Sequence, residues 1–393
     1  MAYGSGHINM LIPVALALSA SGAGKPVVLA LTTAANPARA AGLQVVQFKD
    51  FIEPTDAANV EHGRQLIADL SAAPADEEET AAYLGLSYAD LVTELGQKEA
   101  ESRYADRGRQ AFLPLATLRR ILKKIKPDLI VATNSPRAEK AAIMAAQQLR
   151  IPSVCIVDLF AIDEVKWIGQ PHYADRVCVL NESVRQFLLG AGRKAEQIVV
   201  TGNPAFDRLN SGAVIEEGQR LRVSCGWSNR RVLVWPNQVE PAVHPFDGRP
   251  GNPDLPARAL HETIAWVLAR NDVVLCIRSR AGEQAPLIPD DPRIKLTGQD
   301  WPLAPLLHAA DLVVSIGSTV GLEGHLTGCR LVQVLGSVFD DAMPLIAYGI
   351  ADEAVQVADI PFALNRWINA PRRTKQQLQP ATSGVMDVIV ELL

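Results

Sequence analysis

The residues best suited to chemistry stand in the stretch Ala310–Gly328, A-D-L-V-V-S-I-G-S-T-V-G-L-E-G-H-L-T-G. Gly317, Ser318 and Thr319 make a small-residue turn, and Glu323 follows about a turn and a half further on. The first-turn N–H groups of a helix lack intrahelical acceptors and its dipole favours negative charge, so a turn of this kind suits an anion. A carboxylate at the position of Glu323 suits hydrogen bonds from a ribose diol. The same residues also suit an ordinary βα turn, with Ser318 or Thr319 as N-cap and Glu323 on a solvated face. Either way a strand must deliver the turn. Leu312–Ile316 is an apolar, β-branched run that reads as a buried parallel strand. The helix behind it carries Glu323 and His325 and stops at Gly328.

Around that stretch the chain alternates strand and helix. Ile8–Ser21 reads as a helix, Pro26–Thr32 and Gly42–Phe48 as strands, and 57–126 as mostly helical, broken by an acidic loop at Asp76–Thr80 and by Pro114. Asp128–Thr133, Ser153–Asp158, Arg176–Leu180 and Gln197–Thr201 read as strands, with helices at Arg137–Leu149 and Glu182–Gly190. Gly202-Asn203-Pro204 breaks the pattern, and residues 211–228 read as a linker. A second series follows, with strands at Arg231–Trp235, Val273–Arg278 and Arg330–Leu335. Its helices are placed at Leu260–Ala269, Pro302–His308, Met343–Tyr348, Phe362–Ile368 and Gly384–Leu392. The proline-rich span Val239–Pro256 must be a long irregular loop, and such length inside a compact domain is usually functional. Repeated βα units imply parallel sheets covered on both faces. The expected fold class is α/β, with two Rossmann-like domains facing a central cleft and ligands at the carboxyl ends of the strands. The domains are placed at 1–210 and 229–393, with the last helix free to pack back on the N-terminal one.

Composition narrows the function classes. At 393 residues the chain is long enough for two cores. A net charge of −5 gives no support to a nucleic-acid partner. The five cysteines form no C-x-x-C pair, and Cys155, Cys178 and Cys276 fall in core strands, which fits reduced thiols in a cytoplasmic protein. Met10–Ala20 is an apolar run of signal-peptide length, but no basic segment precedes it and a strand follows at once. No run of 18 apolar residues occurs elsewhere, so a soluble protein is expected, with peripheral membrane contact left open. His62, His172, His244, His261 and His308 show no metal-ligand spacing, and no metal is expected.

Several segments resemble a known family. Gly4–Leu18, G-S-G-H-I-N-M-L-I-P-V-A-L-A-L, is similar to the first loop and helix of GT-B glycosyltransferases, both the G-H-I-N-P-M of the plant type and the G-G-H of the lipid II-forming N-acetylglucosaminyltransferase. Val199–Pro204, V-V-T-G-N-P, resembles the end of the N-terminal domain in that enzyme and in the UDP-N-acetylglucosamine 2-epimerase superfamily. The 310–328 stretch resembles their donor-binding A-D-L-V-(I/V)-S-x-x-G-x-x-x-x-E, and V-F-D-D-A-M-P-L-I-A-Y at Val338–Tyr348 is similar to a divergent form of the D-Q-x-x-N-A segment at the sugar site. Two departures accompany the resemblance. Only Met1-Ala2-Tyr3 stands where the family has its first strand, and the Asp-Gln of the sugar segment is missing.

The resemblance implies a metal-independent glycosyltransferase that moves a sugar from a nucleotide-diphosphate donor, UDP-linked, to a hydroxyl on a glycan, lipid or small molecule, as in bacterial cell-surface glycan synthesis. The nucleotide sugar is a substrate, and no cofactor is required. His7, between Gly4 and Gly6 on one side and a helix on the other, is the candidate base, since imidazole titrates near neutrality. Gly317, Ser318 and Thr319 are assigned to the diphosphate and Glu323 to the ribose. Arg278 and Arg280 are assigned to the diphosphate as bidentate donors, and Asp340 and Asp341 to sugar hydroxyls. Asn237, Gly6, Gly202 and Asn203 are placed at the cleft or hinge, and Asn134, Ser135, Arg137 and Asp158 on the acceptor side. Two alternatives stay open. One is a UDP-sugar 2-epimerase or nucleotide-sugar hydrolase, although the usual N-terminal G-T-R-P-E of the epimerases is not found. The other is a non-catalytic sugar-nucleotide-binding partner subunit, which the short N-terminus favours.

Overall fold

The computed structural model describes residues 1–68, 70, 74, 76–245, 247–279, 285–298, 300–374 and 380–393. The chain divides into two units: Met1–Asp207 with Leu378–Leu393, and Arg208–Gln377. Both are α/β with parallel strands.

In the first unit, β1 (Val27–Leu29) pairs in parallel with β2 (Gln44–Val46). A four-stranded parallel sheet joins β3 (Ile130–Thr133), β4 (Ser153–Ile156), β5 (Arg176–Val179) and β6 (Ile198–Val200) in sequence order. The expected first strand is reduced to one residue. Ala2 makes a parallel bridge to Ala30, its N–H donating to Leu29 O at 3.2 Å and its carbonyl accepting from Leu31 N–H at 3.0 Å. The helix Ser5–Ser21 follows directly and ends at Gly22, whose φ of 72° is the left-handed cap geometry that glycine accepts without a Cβ penalty. The strands are short, and β4 is buried throughout, as a parallel strand covered on both faces is. The helix Ala381–Leu392 belongs to this unit. Its N-terminal N–H groups, Ala381 and Thr382, donate to the two carboxylate oxygens of Asp207 at 2.7 and 2.8 Å, and Val385, Val388 and Ile389 join the core.

The second unit holds a six-stranded parallel sheet in the order β12-β11-β10-β7-β8-β9. Its strands are β7 (Arg231–Pro236), β8 (Val273–Arg278), β9 (Ile294–Thr297), β10 (Leu312–Ser315), β11 (Arg330–Val334) and β12 (Glu353–Val355). Read from β9, this is the doubly wound order in which the winding reverses between β7 and β10, and a ligand crevice is expected at their carboxyl ends. Leu312, Val313 and Val314 are fully buried. Each such side chain contributes about 1.5–3 kcal/mol by leaving water, which anchors the strand that delivers Gly317.

Several expectations are corrected. Residues 211–228 are not a linker through most of their length, since Gly212–Ser224 is a helix of the second unit. The acidic stretch at Asp76–Thr80 opens a helix instead of forming a loop. Asp76 caps Glu77–Leu95 by accepting from Glu79 N–H, and Glu79 turns inward to accept from Phe48 and Lys49 N–H at 3.1 and 3.0 Å. Met343–Tyr348 is a series of turns, because Pro344 disfavours helix at Met343 and supplies no N–H. The edge strands β9 and β12 were missed. Their sequences, I-K-L-T and E-A-V, are short and partly polar. No described helix is long and apolar enough to cross a membrane.

Candidate functional site

Two polar clusters sit at carboxyl ends of strands, one in each unit, and each is described by itself.

In the first unit, β3 ends in Thr133-Asn134-Ser135 and β4 leads through Val157 to Asp158. Asn134 links this set. Its Oδ1 accepts from Asp158 N–H at 3.1 Å, which turns its Nδ2 toward two carboxyls, Asp158 Oδ1 at 2.9 Å and Glu164 Oε1 at 3.3 Å. Asp158 Oδ1 also accepts from Leu159 N–H at 2.7 Å. Asn203, after β6, donates from Nδ2 to the Asp158 carbonyl at 2.9 Å and so braces the same loop. His7 enters from the first turn of the Ser5–Ser21 helix. Its Nε2 lies 3.9 Å from Asp158 Oδ2, and its Nδ1 is hydrogen-bonded to Thr133 Oγ1. Burial, with the neighbouring Asp158 charge second, raises Glu164 to about 7. One hydrogen-bonded set thus contains a carboxyl that burial pushes up to about 7 and a His–Asp pair.

His7, Asn134, Asp158 and Asn203 are brought together here. Ser135 is buried beside them at the start of the next turn, where its carbonyl accepts from Lys140 N–H. Arg137 has its guanidinium over the Tyr3 ring, 4.6 Å from the centroid. Gly6 has open space where a Cβ would stand. Gly202 has φ of 85°, and a Cβ there would come within 3.2 Å of Ala381 Cβ, so it packs the Ala381–Leu392 helix. Thr133, Glu139 and Glu164 were missed. Only their closeness in sequence to Asn134 and Asp158 pointed to them.

In the second unit, Gly317 and Ser318 lead from β10 into the helix Thr319–Leu326. The expectation of unpaired first-turn amides is corrected at Val320, and the two amides before the helix are paired as well. Gly317 N–H donates to Gln238 Oε1 at 3.1 Å, Ser318 N–H to Ser315 Oγ at 3.1 Å, and Val320 N–H to the Ser318 hydroxyl at 3.3 Å. Buried donors seldom stay unpaired, and polar side chains of the fold accept from these three. Gln238 follows β7, so this bond spans the point where the winding reverses. Asn237 beside it donates its N–H to the carbonyl of Arg278 at 2.7 Å. Arg278, ending β8, donates to Trp301 O at 2.6 Å. Burial raises Glu323 to about 7 against the attraction of the Arg278 guanidinium. Asn237, Arg278, Gly317, Ser318, Thr319 and Glu323 are therefore gathered with Gln238 at the ends of β7, β8 and β10. Arg280 lies outside the described residues.

Asp340 and Asp341 each have a partner within the protein, while Asp340 Oδ1 is buried with no hydrogen-bond partner. Asp340 accepts from Gly336 N–H at 2.7 Å within its own turn. Asp341 pairs with Arg249 at 2.9 Å, and Arg249 also donates to Val338 O at 2.6 Å. Glu240, almost wholly buried, accepts from Ser337 Oγ and Val338 N–H at 2.8 and 2.7 Å. The long loop after β7 is thus tied at two points to the loop after β11. That second loop reaches the turn at Gly317 through Met343, whose Cγ would lie 3.5 Å from a Cβ on Gly317. Among the described residues no group of three His, Cys, Asp or Glu side chains is placed to hold a metal ion.

No protein-family model and no curated protein matches the chain. Solved structures do match. UDP-GlcNAc 2-epimerase from Neisseria meningitidis, solved bound to UDP-GlcNAc, is similar with a TM-score of 0.58 at 11% identity, over 99% of this chain and 97% of that one. MnaA of S. aureus, solved with UDP, gives 0.55 at 12% identity over 98% and 89%. The Methanocaldococcus jannaschii UDP-GlcNAc 2-epimerase, in complex with UDP-GlcNAc and UDP, gives 0.52 at 13% identity over 98% and 96%. At such identities the likeness is one of fold. The chain has a Rossmann-like α/β fold similar to that of these UDP-GlcNAc 2-epimerase structures.

Proposed function

We propose that this protein is a nucleotide-sugar enzyme whose second unit binds the diphosphate and ribose and whose first unit moves protons, and that its reaction is epimerisation at C2 of a UDP-linked sugar. The single observation that carries the reading is Asn134 holding the Asp158 and Glu164 carboxyls together, with His7 beside Asp158. Inverting a C–H centre requires a group that removes a proton from one face and a second that returns one to the other. His7 with Asp158 is the acceptor, and Glu164 is the donor, since burial keeps it protonated up to about 7. The C2–H bond breaks as its proton passes to the acceptor, its electron pair forms a C1=C2 bond, and the C1–O bond to UDP breaks with UDP leaving as the diphosphate. UDP then re-adds at C1 while C2 takes a proton from Glu164 on the other face. Fold likeness to 2-epimerases supports the choice of reaction.

In the second unit Glu323 accepts from the ribose hydroxyls. The Gly317–Thr319 turn takes the diphosphate once Gln238 gives up the Gly317 N–H. Glycosyl transfer is the second reading, and the His7–Asp158 pair favours it, because that pair equally suits removal of a proton from an acceptor hydroxyl.

The test is incubation with UDP-GlcNAc in D2O, followed by proton NMR. Epimerisation gives a C2 epimer carrying deuterium at C2 with no acceptor present. Transfer gives UDP release only when a hydroxyl acceptor is added. Glu164→Gln should lower C2 exchange by about 10²–10⁴-fold, the usual worth of one general acid or base. Absence of C2 deuterium at enzyme concentrations approaching that of the substrate would remove the epimerase reading.

A further inference from the structure

We infer that Thr133 and Glu139 form a hydrogen-bonded relay that fixes the tautomer of His7, placing its proton on Nδ1 and leaving Nε2 as the free base toward Asp158. The inference rests on the reading of His7 as a proton acceptor and goes beyond it in assigning which nitrogen acts and which residues decide this.

The argument runs outward from Glu139. This residue lies in the second position of the helix Ala138–Leu149 and is fully buried under β3. Its Oε1 accepts from the Tyr3 backbone N–H at 2.7 Å. A backbone N–H can only donate, so Oε1 is an acceptor atom, and if the carboxyl carries a proton it stands on Oε2. Thr133 Oγ1 is 3.5 Å from the same Oε1, so the hydroxyl proton of Thr133 points at Glu139. A hydroxyl has one proton to give. With that proton directed to Glu139, Thr133 Oγ1 can only accept from its other partner, which is His7 Nδ1. Nδ1 must then carry the imidazole proton, and in the neutral ring Nε2 has the lone pair. Nε2 is the nitrogen 3.9 Å from Asp158 Oδ2.

The physical logic is that of any base oriented by a third group. A neutral imidazole has two tautomers, and only one presents its lone pair to the substrate. When Nε2 takes the proton of a reacting C–H or O–H group, the ring becomes a cation with Asp158 adjacent to it, while the Nδ1 proton stays in place. Thr133 is fully buried at the end of β3, and the Tyr3 hydrogen bond anchors Glu139, so the relay is held by strand and helix and not by a loose loop. Thr133 and Glu139 are positioning residues, since they act through His7.

The test is nitrogen NMR of the resting protein labelled with ¹⁵N-histidine at a pH above the histidine range, the His7 signals being assigned by their loss in His7→Ala. The wild type should show His7 protonated at Nδ1 and unprotonated at Nε2. Thr133→Val removes the acceptor while keeping shape, and should move His7 toward the Nε2-protonated form, with kcat falling about 10-fold or more at unchanged KM. Thr133→Ser restores the hydroxyl and should restore both tautomer and rate. A wild type protonated at Nε2, or a Thr133→Val protein with unchanged His7 signals, would overturn the relay. The readout needs no turnover. A correct tautomer in a protein that fails to exchange C2 would therefore condemn the proposed reaction and leave the relay standing.

Discussion

Replacing Glu164 by Gln should make the protein more stable while stopping its chemistry, and the size of the effect follows from burial. Glu164 is raised from 4.5 to about 7, chiefly by desolvation. Between those values the folded state holds a proton that the unfolded state has released. Stability from this group is therefore fully present below 4.5, declines as pH rises, and is lost once pH passes about 7. A displacement of that size corresponds to about 3 kcal/mol at ~1.36 kcal/mol per pH unit. The carboxyl is only part-buried, so solvent screening reduces this to about 2 kcal/mol. Gln is neutral at every pH, keeps an oxygen for Asn134 Nδ2, and escapes the penalty. The assay is urea unfolding followed by circular dichroism, for wild type and Glu164→Gln, at about pH 8 and about pH 4.5. The variant should gain about 2 kcal/mol at the higher pH and nothing at the lower. Glu79, also raised to about 7, is present in both proteins and cancels from the difference. Equal stability at pH 8 would mean that Glu164 ionises freely, and the division of labour between it and Asp158 would fall with it.

Other outcomes follow from the second unit. Gln238→Ala frees the Gly317 N–H and should tighten UDP binding by up to about 1 kcal/mol in calorimetry, the net worth of the bond that no longer has to be displaced; weaker binding would show that Gln238 itself grips the nucleotide. Glu323→Ala should weaken UDP by about 1.5–3 kcal/mol without changing the affinity for inorganic pyrophosphate, which has no ribose. Gly324→Ala puts a Cβ 2.7 Å from Val313 Cγ2 in the packed core, whereas Gly321→Ala meets the movable end of Leu331 at 3.2 Å. Overpacking costs about 1–3 kcal/mol and a helical Gly→Ala gains about 1, so the first should lower the melting temperature of the second unit and the second should be near neutral or stabilising.

Strands buried on both faces were legible because their apolar runs are long and bounded by glycine, asparagine and serine, as at Leu312–Ile316 and Val273–Arg278. The residues at their ends were legible too, since a parallel strand must release its chain at the carboxyl end. His7, Asn134, Asp158 and Asn203 meet for that reason. Glu139 and Glu164 were not legible. Each stands in an ordinary helical or turn sequence, and only tertiary burial distinguishes them from solvated glutamates. The pairing of the Gly317 amide with Gln238 was equally hidden. It depends on β7 and β10 being neighbours, which periodicity along the chain cannot reveal. The pairing of Asp341 with Arg249 was hidden as well, because the two are distant in sequence.

The helix Ala381–Leu392 closes the first unit's core, yet it is translated after the whole of Arg208–Gln377. On a ribosome moving at about 5–20 residues per second, the partly built first unit waits on the order of ten seconds or more for Val385, Val388 and Ile389 to arrive. The second unit, contiguous in the chain, can fold in the interval. During that wait the apolar side chains that the last helix will cover are open to the cell. Asp207 is already in place to receive the helix by its first two amides, so docking can be fast once the segment emerges. The order of synthesis thus makes the last helix a latch on a domain begun long before it.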